Sequence, residues 1–481
     1  MKNQLFTFVA LVCAATSALA APKPFPLFAD GAVLVRDKPL VVFGDGANPG
    51  ETVSVSLLKK TATATADDKG NWKVALPAFK AGGPYDLKIA APSGETVSKG
   101  VLVGDLWLCA GQSNMGVDVK SSDVAPIAEA APVDPQLKIF GLSLIARPYP
   151  FRTLNEQDKA KWRESSPESA RGTSAVAWSF AHNLRAQSGI PVGIVVGAWG
   201  GTRAIAWTPR EALQKDFSGD LARFDDKIKD IKPDFDGWWV PALGYPDTPT
   251  YIYNAIINPL VPTAFTGVVW YQGEQDGGMG MGYTKSLSAL ISGWRDKFQD
   301  PTLPFLVVQL PAFGGDYCDG FPSIRAAQAA VVKDTANTAL VVSVDTGDPK
   351  TIHPTQKAEI GRRAALAAQG LVHGAKIHWQ APFAQSAEDE DGSVRVGFQR
   401  GLSGLQSLDN KDLRAFELAG EDGKWVAAQA SIAPNAKTVS VKADGLAKPL
   451  KVRYAVKPYP DANLGTKDGL AAAPFVLDVT P

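Results

Sequence analysis

The chain is poor in the residues that build redox and metal centres: its 481 residues hold three cysteines and four histidines. No His/Cys group has the spacing of a metal site, and the reading requires no cofactor. Cys13 falls in an N-terminal apolar run, which leaves Cys109 and Cys318. Cys109 stands in an apolar stretch where a buried free thiol is common, so no disulfide is expected. An excess of one charge is also missing. Lys and Arg total 49, Asp and Glu total 49, and no long basic run occurs. That balance argues against nucleic acid or an anionic membrane as the main partner. Beyond the N-terminal run nothing is long and apolar enough to cross a bilayer. No fixed-period repeat occurs either.

What remains is an ordinary globular composition, 45% hydrophobic and 20% charged. The length is too great for one core, so two or three domains are expected. Twelve tryptophans suit either sugar-stacking platforms or plain core. Lys2, the run Leu5–Cys13 and Ala18-Leu19-Ala20 read as a secretory signal cut after Ala20, which implies a periplasmic or extracellular protein. Residues 21–100 alternate short β-branched runs with Gly/Asp/Pro turns and predict an N-terminal β-sandwich. Residues 101–376 alternate strand and helix patterns. Strands are expected at Ile190–Val196, Gly267–Tyr271, Pro304–Leu310 and Ala339–Val344, and helices at Val176–Gln187, Tyr283–Phe298, Ile324–Asp334 and Thr355–Gln369. Such repeated units imply α/β architecture with a doubly wound parallel sheet. Residues 377–481 return to strand patterning and predict a C-terminal β domain. Gly420–Gly423 reads as a hairpin turn there.

The stretch VLVGDLWLCAGQSNM at 101–115 organises the rest. It reads as a buried strand running into a glycine-led turn that carries Ser113. Loops at the carboxyl ends of parallel strands are where ligands meet an open sheet. A serine there is a nucleophile if a base is in reach, and turn amides can face an oxyanion. Taken alone, the same serine reads equally as a helix cap.

Three further blocks follow in order: VGAWGGTRAIAW at 196–207, GVVWYQGEQD at 267–276 and DTGDPKTIHPTQKAEIGRR at 345–363. Together the four blocks resemble the sialate O-acetylesterase family of SGNH-type esterases. The resemblance implies an SGNH-hydrolase, flavodoxin-like fold for 101–376, flanked by all-β domains, and an O-acetylated carbohydrate as substrate.

Ester hydrolysis needs a nucleophile, a base and oxyanion donors. Of the four histidines, His182 lies in a helical pattern, while His373 and His378 flank a domain boundary. His353 stands in a loop beyond a strand end, where a catalytic or a structural loop histidine is equally at home. The match of IHPTQK to the family's IHP-x-x-K pattern implies catalysis. The resemblance departs at the acid: Lys350 and Thr351 stand where relatives carry an aspartate. Glu274 in WYQGE is the first candidate for that role and Asp348 the second. Asp345 suits a cap at the strand end, and a Ser–His pair supported by a backbone carbonyl is a further alternative. The Ser113 amide, Gly200 and Gly201 are the expected oxyanion donors, with Gln272 as a polar supplement. Relatives commonly read GESN where this chain has Gly273-Glu274-Gln275-Asp276, so Gln275 and Asp276 are departures, and Ile205 replaces a usual glutamate. Gln112, Asn114, Arg203, Trp238 and Trp239 are candidate substrate contacts, Arg203 by pairing with a carboxylate and the tryptophans by stacking on sugar rings; Tyr245 in the same insertion is a further stacking candidate. The reading is an exported serine esterase acting on an acetylated sialoside or, second, on acetylated xylan or xyloglucan. The rival is a glycan-binding protein on the same scaffold. Oligomeric state is not legible.

Overall fold

In the computed structural model, residues 21–154, 161–232, 243–399 and 401–481 are described. The N-terminal region forms two sheets face to face. One joins Lys23–Pro24, Leu40–Asp45 and Trp72–Leu76, all antiparallel. The other joins Lys60–Thr65, Thr52–Leu57 and Gly82–Ala91. Alternate residues turn inward, so Val42, Trp72 and Val74 meet Val53, Val55 and Ile89 in one buried core.

Strand β1, Gly94–Gly111, belongs to this region and to the next. Its first half pairs antiparallel with Gly82–Ala91, and residues 102–104 also pair with Val33–Val35. Its second half is the centre of the large sheet. The expected join between residues 100 and 101 therefore falls inside one continuous strand.

The large sheet adds β2 (Asp134–Gly141), β3 (Val192–Ala198), β4 (Gly267–Tyr271), β5 (Phe305–Val308) and β6 (Thr338–Val341). Their order is β2-β3-β1-β4-β5-β6, all parallel, with Arg163–Ser165 antiparallel at the β2 edge. The chain lays β2 and β3 on one side of β1 and β4 to β6 on the other, so the direction of winding reverses at β1. Helices α1 (Ala175–Ser188) and α4 (Ala358–Leu371) cover one face, against Trp107, Cys109, Ile194 and Val269. Helices α2 (Tyr283–Lys297) and α3 (Phe321–Asp334) cover the other, against Leu108, Ala110, Val268 and Trp270. Cys109 and Cys318 are buried and free.

Strand β2 escaped the sequence reading because Lys138 interrupts its apolar run. That lysine is nonetheless buried, its ammonium 2.9 Å from Glu164 on the edge strand.

The C-terminal region holds two four-stranded antiparallel sheets and a two-stranded ribbon. The turn at Gly420–Gly423 joins Phe416–Ala419 to Trp425–Ala427. This region docks through arginines that donate to its carbonyls. Arg325, wholly buried on α3, reaches Lys457 O at 3.0 Å and Pro458 O at 2.5 Å. Arg362 and Arg363 on α4 reach Asp468 O and Gly469 O at 2.8 and 2.9 Å. Among the described residues, no helix is long and apolar enough to cross a membrane.

Candidate active site

Strand β1 stops at Gly111 with φ of +149°, and a Cβ there would sit 2.0 Å from Tyr271 O. Only glycine lets β1 and β4 close together at this point. The Gln112 amide donates to Tyr271 O at 3.0 Å, and the chain turns at once into the short helix Ser113–Gly116. From the other side, the Trp199 amide just past β3 donates to Gly111 O at 3.0 Å. Gly200 then packs on the serine: a Cβ at 200 would lie 3.1 Å from Ser113 Cβ. Gly201 follows with φ of +64°, the left-handed region that glycine occupies without strain. The turn is tied by Thr202 Oγ1 to Trp199 O at 2.7 Å and by the Tyr245 hydroxyl to Gly200 O at 2.6 Å. Among the described residues, the amides of Ser113 and Gly200 have no acceptor.

His353 approaches from the loop after β6. Asp348 Oδ1 accepts from the Lys350 and Thr351 amides at 2.7 and 3.0 Å, and Thr351 Oγ1 from the His353 amide at 3.1 Å. Past the histidine, Asp123 Oδ1 accepts from the Lys357 and Ala358 amides at 2.7 and 2.9 Å, which caps α4. Ser113, Gly200 and His353 line one open cleft of about 480 Å³ with Gly116, Val117, Asp118, Ser121 and Ala198. Burial, and after it the nearby Lys357 charge, hold the His353 imidazole below its usual value. Among the described residues, no carboxylate lies within hydrogen-bond distance of that ring.

A buried polar layer lies behind the serine turn. Asn114 is wholly buried; its Nδ2 donates to Glu274 Oε1 at 2.5 Å and to Ile352 O at 3.0 Å, while its Oδ1 accepts from Lys357 Nζ at 2.6 Å. The Lys357 ammonium also stands 5.4 Å from the centre of the Tyr271 ring. Burial raises the Glu274 carboxyl and lowers Lys357 to about 8. Beside them, Gln272 Nε2 donates to Gln112 Oε1, Thr202 O and Asp276 Oδ2 at 3.1, 3.0 and 2.8 Å. Asp276 Oδ2 also accepts from the Ala204 amide at 2.8 Å, and burial lifts this carboxyl to about 6.

Several expectations need correction. Gln272 has its amide hydrogens engaged inside the protein and is wholly buried, so it does not face the cleft as an oxyanion donor. Gln112 and Asn114, expected at the substrate, are buried braces; Gln112 Oε1 also accepts from the Gly273 and Gln275 amides. Glu274 bonds Asn114 rather than the histidine, and Asp348 bonds its own loop. Arg203 is paired with Asp247, 3.5 Å from its carboxylate and 3.2 Å from its carbonyl. Asp345 forms a two-bond pair with Arg363 at 2.7 and 2.6 Å. Trp238 and Trp239 lie outside the described residues. The other histidines are engaged elsewhere: His182 stacks on Trp178, His373 meets Asp105 at 2.7 Å, and His378 meets Gly401 O at 2.6 Å. Sequence reasoning gave no part to Lys357 or Asp123. The lysine stood within the IHPTQK block, but a charge next to a helix start reads as exposed until its partners are known. Among the described residues, no group of three His, Cys, Asp or Glu side chains is arranged to hold a metal ion.

The family described as carbohydrate esterase, sialic acid-specific acetylesterase matches residues 103–370. A carbohydrate acetylesterase of known structure from Xanthomonas citri is 35% identical, with a TM-score of 0.84 over 95% of this chain and 99% of that one. The sialate O-acetylesterase of Mus musculus is 28% identical over 95% of this chain and 94% of its own. The human sialate O-acetylesterase is 28% identical over 81% of this chain and 78% of its own.

Proposed function

The chain belongs to the sialic acid-specific acetylesterase family of carbohydrate esterases, and from that premise we propose that it removes O-acetyl groups from carbohydrate through Ser113 and His353. His353 takes the Ser113 proton as Oγ attacks the acetyl carbonyl. The Ser113 and Gly200 amides, free of other acceptors, receive the negative charge on the carbonyl oxygen. As the tetrahedral adduct collapses, the sugar oxygen leaves and takes the proton from the imidazolium. Water then gives its proton to His353 and attacks the acetyl-serine, releasing acetate and restoring the hydroxyl. The observation that carries this reading is one open cleft lined by Ser113, Gly200 and His353.

The sheet order, with the serine turn where the winding reverses, supports an SGNH-type catalytic unit at 101–376 between β domains at 21–100 and 377–481. Residues 1–20 are proposed as the export signal, which puts the mature protein in a periplasm or outside the cell. The substrate is proposed as an acetylated sialoside, with acetylated xylan or xyloglucan second.

The test is acetate release by wild type and Ser113→Ala on acetylated sialosides, acetylated xylan and 4-nitrophenyl acetate. Turnover should fall at least about a thousandfold in a variant that melts like wild type. Turnover retained by Ser113→Ala would sink the mechanism. The bare His353 ring, without a carboxylate partner, favours one rival, a glycan-binding protein on an esterase scaffold. Labelling of Ser113 by a fluorophosphonate excludes it, because only an activated serine reacts.

A further inference from the structure

We propose that Lys357 is a positioning residue: through the Asn114 amide it holds the loop that carries His353 in register with the nucleophile turn. The inference rests on the reading of Ser113 and His353 as nucleophile and base.

Asn114 follows the serine directly, and Ile352 precedes the histidine directly. The bond from Asn114 Nδ2 to Ile352 O, 3.0 Å, is therefore a bridge between the two reacting residues at one remove on each side. A carboxamide can make that bond only with its nitrogen toward the loop. Turned over, it would set oxygen against the Ile352 carbonyl and the Glu274 carboxylate alike. The surroundings forbid the turned form. The Lys357 ammonium is a donor only and sits 2.6 Å from Oδ1; Glu274 Oε1 sits 2.5 Å from Nδ2. Lys357 is wholly buried and the second Glu274 oxygen is shut from solvent without a partner, so neither group can exchange Asn114 for water without a large cost. Lys357 is itself fixed at both ends. Its backbone amide is held by Asp123, and its ammonium lies over the Tyr271 ring, whose carbonyl receives the Gln112 amide. The carboxylate absent before His353 is thus matched by one that acts at a distance. Glu274 and Lys357 orient Asn114, and Asn114 orients the base loop.

Two variants test this against a merely structural role. In Lys357→Met the stem is kept and the donor is lost, which leaves Asn114 Oδ1 without its partner and loosens the tie between the two turns. Displacing a reacting group by an ångström costs about a hundredfold, so kcat should fall by about that factor with KM little changed. The acid limb of the pH–rate profile should move with it, because the surroundings of His353 change. The double variant N114D/E274Q is sharper. It moves the acidic group from position 274 to position 114, keeps an acceptor for Lys357, and lets the glutamine amide donate to the new carboxylate. The donor to Ile352 O is lost, and a carboxylate oxygen stands against that carbonyl in its place. Folded at the assay temperature, this variant should show at least the same loss in kcat, again with KM little changed. Wild-type kcat in either variant would overturn the proposal, and Lys357→Met decides alone if the double variant does not fold. His353→Ala, measured in parallel on 4-nitrophenyl acetate, keeps the two levels apart. Retained turnover there would refute the assignment of the base itself, whatever Lys357 does.

Discussion

The two sides of the cleft are held by different means. The serine turn stands chiefly on backbone: strand register places Tyr271 and Ala198 opposite Gly111, and main-chain bonds from Gln112 and Trp199 lock it, with Thr202 and Tyr245 tying only the glycine turn beside it. The histidine stands on side chains. Asp348, Thr351, Asp123, Asn114 and the Asp345–Arg363 pair each hold a different part of its loop. A backbone frame tolerates almost any side chain but no intruding atom. A side-chain frame is the reverse, since each tie can be removed singly and each removal leaves a partner unpaired.

That contrast can be broken from either side. The largest effect should come from Gly111→Ala. The new Cβ would stand 2.0 Å from Tyr271 O on a backbone with φ of +149°, so β1 and β4 would have to part. A loss above about 4 kcal/mol is expected, measured by urea unfolding. A loss under about 1 kcal/mol would show that the strand junction yields easily. On the histidine side, Arg363→Met removes the partner of Asp345 and the donors to Val342 O and Gly469 O. Breaking a buried pair from one end costs about 3–5 kcal/mol. Turnover should fall by more than the unfolded fraction accounts for, and an active, weakened protein would show that the loop does not depend on this tie.

The smallest effect belongs to Asp276, the carboxylate that braces the glycine turn through the Ala204 amide. Its folded value of about 6 lies above the ordinary 3.8, so the fold binds this proton more tightly than the unfolded chain does. Ionisation in place therefore carries a cost that is absent below pH 3.8, grows between 3.8 and about 6, and is complete above. The full shift corresponds to about 3 kcal/mol. Asp276→Asn should gain stability over wild type by up to that amount as pH rises through this window, whatever constant offset the new amide brings. Unfolding curves at pH 4 and pH 7 that differ by a pH-independent amount would refute the reading.

Much of the frame was legible in the sequence because buried parallel strands declare themselves as short apolar runs. Gly267–Tyr271 matched to the residue, and Ile190–Val196 was displaced by two from Val192–Ala198. Strand β2 was hidden by Lys138, whose partner Glu164 lies 26 residues on. Ser113, Gly200 and His353 could be singled out because each stands at a strand end among glycines or prolines. The polar residues around them could not be sorted in the same way. Gln112, Asn114 and Gln272 look like any polar loop residue until their partners are known, and apart from Asp276 and Tyr283 beside Gln272 those lie 70 to 243 residues away. Nor does a sequence reveal whether an acid three residues past a strand faces the histidine or a neighbouring amide.

One strand links this site to the order in which the chain is made. The first half of β1 pairs with Gly82–Ala91, only two residues upstream, so its ordering requires almost no loop closure. Its neighbours in the large sheet, β3 and β4, begin at Val192 and Gly267. The N-terminal strands therefore all precede both of them in the chain. The strand that leads to Ser113 is then already anchored at one end, a template with two open edges on which the later strands dock. Long-range parallel pairing is slow when both partners must find each other. Here one partner is held at one end by a local hairpin, in a region that contributes no side chain to the lining of the cleft.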